Sequence, residues 1–296
     1  RALNETDISE FSTTQLGALS ATQLGSLTST TFAALDATQV GALTTTQLKG
    51  MNATQIGGLT TTDIAEFSST QVGSLATTQL AALSTTNINA LDTTQLSGLS
   101  STQLSRLSTT SFRALDETQI GSLTTTQLSA VTTTQLRALS TTDIAEFTST
   151  QLGNFASTQI GAISATNFSA LDATQVSGLT TTQVAGLSTT VLSALNETDI
   201  SEFSTTQLGA LNATQVGSLT STAFSALDST QVGSLSTTQL RSLNTLQIAN
   251  LTTSDVSEFS STQLGSLTTT QLNAFTTTNI NTLDATQLSG LTATQV

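Results

Sequence analysis

The sequence predicts an all-α solenoid: short helices, one for every eight residues, coiling with about 3.4 of these octads to a superhelical turn. Three observations lead there. Apolar residues recur every eight positions in two parallel series. Each octad opens with the residues that start a helix. A minority of octads, marked by acids and phenylalanine or isoleucine, recur at intervals of three or four.

The first apolar series runs Ile8, Leu16, Leu24, Phe32, Val40 and on to Val296. The second runs Leu3, Phe11, Leu19, Leu27, Leu35 and on to Leu291. Each holds 37 members and none is polar. An unbroken period this short signals a repeat architecture and overrides any domain count taken from length. One array fills residues 1–296 with no linker or change of composition. Arg1-Ala2-Leu3 is the tail of a repeat and Thr292 to Val296 the front of one, so the chain reads as a section of a longer array.

The octad Ser12-Thr13-Thr14-Gln15-Leu16-Gly17-Ala18-Leu19 serves as the type, its places numbered one to eight. Place one is nearly always Ser, Thr, Asp or Asn, and place four is Gln in 25 of 37 octads. A small polar residue followed three positions later by Gln is a capping box. The first side chain accepts from the backbone N–H of the Gln, and the Gln side chain returns to the N–H of the cap. The apolar residue before the cap (Phe11 here) and the one at place five (Leu16) form the hydrophobic staple that accompanies the box. A fresh start every eight residues predicts helices of about six residues, turning sharply between octads.

Two rivals fare worse. In one continuous helix, at about 100° per residue, the apolar stripe would advance by about 80° per octad and wind around the surface. A β-solenoid gains from abundant Thr, Val and Ile, yet places five and eight would point to opposite faces of a strand. It stands as the alternative architecture.

The longer rhythm comes from two kinds of marked octad. One reads Asp-Ile-x-Glu-Phe, from Asp7, Asp63, Asp143 and Asp199, with Asp255 heading a fifth copy that has Val256 for Ile. The other lacks Gln at place four, carries Phe or Ile at place five, and is followed by Asp. Its centres are Phe32, Ile88, Phe112, Phe168, Phe224 and Ile280, and its acids are Asp36, Asp92, Asp116, Asp172, Asp228 and Asp284. Merged, they fall 3, 4, 3, 3, 4, 3, 4, 3, 4 and 3 octads apart, a mean of 3.4. Stacked turns would therefore align them as a seam. Side-chain packing between helices tolerates the fraction, whereas a β-coil must repeat its hydrogen-bonding register turn by turn.

Composition excludes several functions. Six basic residues face nineteen acidic ones, for a net charge of −13, which argues against nucleic acid and anionic membrane surfaces. No apolar run approaches the eighteen or so residues of a membrane span. Cysteine and histidine are absent, so no disulfide forms and no histidine can activate one of the many hydroxyls. No enzyme is expected. The candidate site is the acidic seam: Asp7 with Glu10, Asp63 with Glu66, Asp143 with Glu146, Asp199 with Glu202, and Asp255 with Glu258. Each pair sets two carboxylates on one helical face, and stacked with the Asp36-type acids they could offer oxygen ligands to calcium. The competing reading gives the Asp residues to helix caps and leaves the Glu residues solvated. No other cofactor is expected.

The recurring Thr-x-x-Gln-Leu-x-x-Leu text, as in Thr124-Thr125-Thr126-Gln127-Leu128-Ser129-Ala130-Val131, resembles octapeptide arrays of very large bacterial surface and secreted proteins. The resemblance implies a bacterial, extracellular, structural protein and brings no catalytic residues with it. The expected role is a stalk, spacer or filament-forming subunit that self-associates into fibres or bundles. An adhesin or binding module with a calcium- or glycan-binding seam is the alternative.

Overall fold

The computed structural model describes residues 3–296. Among them lie 36 α-helices and no strand, so the helical solenoid replaces its β-coiled alternative. Every full octad contributes one helix, from Glu5–Ser9 to Ala285–Leu288.

Each helix starts as its first residues dictate. Ser12 accepts from the Gln15 N–H, and Gln15 Oε1 accepts from the Ser12 N–H at 2.8 Å. The same box recurs with Asp36 and Gln39, and with Asn212 and Gln215. Two octads begin with Ala, and there only half the box exists. Ala76 has no side-chain acceptor, so the Gln79 N–H donates to the Ala76 carbonyl instead, at 2.9 Å, while Gln79 returns its Oε1 to the Ala76 N–H at 2.7 Å.

The helices run four to six residues, mostly shorter than the six expected. Their last turn tightens: the place-eight N–H bonds back three residues, as Leu19 does to the Leu16 carbonyl at 3.0 Å. Places eight and one are then extended, as at Leu75 (φ −61°, ψ 140°) and Ala76 (φ −67°, ψ 154°), and these two residues turn the chain. No described residue has a positive φ, glycine included. Gly, Ala and Ser therefore interchange at places six and seven because of their size, with no left-handed conformation involved.

Helices this short are not stable in isolation, where about 12–15 residues are needed. Packing holds them. The chain forms two compact units, one ending at Phe147 and the other Thr148–Val296, each with eighteen helices. Within each, a helix packs on the one three octads later: Ala21–Gly25 on Thr45–Lys49 in the first, Thr181–Ala185 on Thr205–Ala210 in the second. Both apolar series turn inward and make the core. Place-five residues such as Leu48, Leu104 and Leu264 are wholly enclosed, as are Phe32, Phe112, Phe147, Phe168, Phe203 and Phe224 of the marked octads. In the second unit, the Phe168 and Phe203 rings stack with centroids 6.2 Å apart.

Candidate functional site

The marked octads do adjoin one another within each unit. The Arg113 guanidinium donates to Asp143 at 2.6 Å, and the Ser169 hydroxyl donates to Asp199 at 2.5 Å; both pairs are thirty residues apart in sequence. Glu66 lies within electrostatic reach of Asp63 and Asp36, Glu202 of Asp199 and Asp172, and Glu258 of Asp255 and Asp228. Glu146 has Asp143, Asp116 and Glu117 for neighbours.

The two members of each predicted pair have different duties. Asp7, Asp63, Asp143, Asp199 and Asp255 all stand third in a helix and close its capping box. Their carboxylates accept from the N–H of Asn4, Thr60, Ser140, Asn196 and Thr252 at 2.6–3.0 Å. Glu10, Glu66, Glu146, Glu202 and Glu258 occupy the C-caps of the same helices. Burial raises the Glu66, Glu146, Glu202 and Glu258 carboxyls above the usual range, and the nearby Asp charges raise them further. One oxygen each of Glu66 and Glu258 is buried without a hydrogen-bond partner. Burial would raise Asp143 too, but the Ser140 N–H and the Arg113 guanidinium outweigh it and hold that carboxyl low. Among the described residues, no group of three or more acidic side chains is arranged to hold a metal ion.

The most used polar group is one that the capping argument leaves half explained. Gln Oε1 closes the cap, while Nε2 reaches into the preceding turn. Gln47 donates to the carbonyls of Leu16 and Leu19 at 2.7 and 2.8 Å, and Gln95 to those of Ile64 and Phe67 at 2.8 and 2.6 Å. In the second unit Gln183 does the same to Leu152 and Phe155. These amides are buried, so their pairing matters: an unpaired buried amide costs about 1–3 kcal/mol. Both acceptors belong to one octad, four before that of the Gln, whereas the helices pack on the octad three before; each octad thus straddles two of the preceding turn, which is how a turn of between three and four octads closes.

The sequence does carry a signal for this bridge. A capping box accepts Glu as readily as Gln, yet place four holds no Glu in 37 octads. Only the amide can accept at the cap and donate below. The marked octads interrupt the ladder. Asn87 is too short to close its own cap but still donates to the Leu59 carbonyl at 2.8 Å. Thr31, Ser111 and Ala223, and Val191 in an unmarked octad, fill the buried space at place four with no amide to offer.

Small residues complete the contact between turns. A Cβ built on Gly73 would collide with the Gly98 carbonyl, and one on Gly98 with the Ser69 carbonyl.

The profile of the ALTTAQ repeat matches the chain three times, at residues 32–69, 72–109 and 200–237. No curated protein matches the chain.

Proposed function

We propose that the chain is a non-catalytic structural element at a bacterial cell surface, a stalk, spacer or filament-forming subunit in which the coil itself is the product of selection. The supporting observation is the bridge between turns. The buried side-chain amides at place four are spent on joining one turn to the next. An interface that repeats in this way accepts further octads without redesign, which suits a part whose function depends on extent. The outer face supports the same reading. Places two and three, mostly Ser and Thr, carry little charge, and no described helix is long and apolar enough to cross a membrane.

Surface placement is tested by treating intact cells with protease and identifying the released peptides. Octad peptides shed before lysis support the reading, and their complete protection until lysis overturns it. Calcium or glycan binding along the seam, as in an adhesin, is the second reading. It draws support from the recurrence of a Glu with a raised pKa beside Asp carboxylates in both units. A melting transition unchanged by calcium and by chelator removes its metal form.

A further inference from the structure

Residues 193–296 repeat residues 1–104 with 76 identities, so the chain carries two versions of one stretch of coil. Setting them side by side isolates a place where the later version departs. In the earlier one, Gly58 comes so close to the preceding turn that an added Cβ would lie 2.6 Å from the Ser29 Cβ. Its counterpart is Asn250. A side chain of that size holds the neighbouring turn off, and a cleft of about 290 Å³ stands beside it.

The cleft lies wholly within the second unit, where helix Ser221–Ser225 packs between Glu197–Ser201 and Thr245–Ala249. Ser221, Ser225 and Ala226 are half-buried and make its floor. Glu197, Thr222, Asn250 and Thr252 are exposed and make its walls. Of these seven, only Ser225 and Asn250 differ from their counterparts, which are Ala33 and Gly58.

Those two residues bring polar atoms that the coil does not use. The Ser225 Oγ is buried with no hydrogen-bond partner. Other serines at the same place in their octads are paired: Ser177 and Ser201 donate to the Thr174 and Thr198 carbonyls at 2.8 and 2.7 Å, and Ser169 to Asp199. Asn250 donates Nδ2 to the Leu246 carbonyl at 2.8 Å, which fixes the amide and leaves Oδ1 open. An enclosed hydroxyl without a partner is destabilising, and a ligand that bonds to it removes that penalty.

We propose that this cleft binds one neutral sugar residue of a glycan. Its lining holds one carboxylate and no cation, which repels an anion. Hydroxyls and an amide oxygen outnumber that single charge, which suits a ligand that both donates and accepts. Ala226 gives a small apolar floor for the C–H face of a ring. The volume sits at the lower end of the range for ligand pockets, about 300–1,000 Å³, so it takes one ring rather than a chain. Glu197 and Asn250 Oδ1 accept from ring hydroxyls, and Ser225 Oγ gains its missing partner. This deepens the glycan-binding reading above, on which it rests, and moves the site from the seam carboxylates to the cleft beside them.

Saturation-transfer NMR on the 296-residue chain tests it, with glucose, galactose and N-acetylglucosamine as probes. The variant is Ser225→Ala/Asn250→Gly. Both replacements are residues that the same coil already holds at Ala33 and Gly58, and circular dichroism checks that the helical spectrum is kept. At least one sugar should bind saturably to the wild type, with a Kd of about 1–10 mM. The variant should bind it about tenfold more weakly or not at all. No binding by any of the three sugars overturns the proposal, as does equal binding by the variant. Ethylammonium that binds where no sugar does also overturns it, in favour of a cation site. A glycan array separates the proposal from the reading beneath it. Glycan capture undiminished in the variant overturns the cleft and leaves the adhesin reading standing, whereas no capture by either chain and no free sugar bound removes both.

Discussion

Gln47 donates its side-chain amide to the main-chain carbonyl of Leu16, thirty-one residues earlier, at 2.7 Å. Its Oε1 meanwhile accepts from the Thr44 N–H at 2.9 Å. One planar group therefore holds the start of its own helix and the end of a helix one turn below. Local and tertiary structure are fixed by the same side chain, which couples helix formation to stacking. An octad acquires its order when its neighbour arrives.

Gln135→Glu isolates the tertiary half of that arrangement. Gln135 is 2% exposed and donates to the Leu104 and Leu107 carbonyls at 2.9 and 3.1 Å. Glutamate can still accept from the Thr132 N–H, so the cap survives, but a buried carboxylate then faces two carbonyl oxygens. The expected cost at pH 7 is about 3 kcal/mol or more. A protonated Glu regains a donor, so part of the loss should return near pH 4. Denaturant unfolding at both pH values reads the difference, and an equal loss at each would show that the inter-turn bond contributes little.

The helical octad was legible because the cap residues and the two apolar series carry it locally. Ser12, Gln15 and Leu16 need no knowledge of any distant residue to announce a helix start. The turn of between three and four octads was legible from the marked octads alone. The second duty of Gln was harder to see, because its acceptors are main-chain carbonyls that any residue supplies. Only the absence of Glu from place four betrays it. The seam acids show the converse. Their alignment was readable from spacing, whereas the division of labour between Asp63 in a cap and Glu66 at a helix end depends on side-chain direction. Val191 proves to fill the buried space of a missing amide; nothing in the structure explains the 66% exposed Leu246.

Two glycines with the same place in the octad should respond oppositely to Ala. At Gly41 a Cβ meets nothing within 4 Å, so Gly41→Ala should stabilise the helix by about 0.5–1 kcal/mol. At Gly73 the added carbon strikes the Gly98 backbone, and Gly73→Ala should cost about 1–3 kcal/mol as the turns separate. Thermal melts of the two variants suffice, and shifts of the same sign would refute the close approach as the reason for glycine.

Ala76 offers a gain. Its helix, Thr77–Leu80, lacks the side-chain acceptor that nearly every other helix has. Ala76→Ser places a hydroxyl where Ser68 holds its own, accepting from the N–H of the residue three positions on. The expected stabilisation is about 1 kcal/mol. Hydrogen exchange should slow at Gln79 in particular, and an unchanged rate there would mean that the Ala76 carbonyl, which already accepts from the Gln79 N–H at 2.9 Å, protects it as well as the hydroxyl does.

Acid should strengthen this fold before it weakens it. Burial and neighbouring Asp charges raise Glu66, Glu146, Glu202 and Glu258 above the ordinary Glu value of 4.5. Between that value and the raised one, the folded chain holds more protons than the unfolded chain, so stability falls as pH rises through the window. Acidification from pH 7 towards about 4.5 should therefore raise the melting temperature. Asp143 works in the opposite sense. Its carboxyl is held below the ordinary 3.8, so its contribution is lost as pH drops further. Calorimetric scans should trace a maximum on the acid side of neutrality. Replacing the four Glu residues with Gln should raise the melting temperature at pH 7 and flatten its rise. A melting temperature that declines steadily from pH 7 downward would mean that the four carboxyls are as well solvated in the folded chain as in the unfolded one.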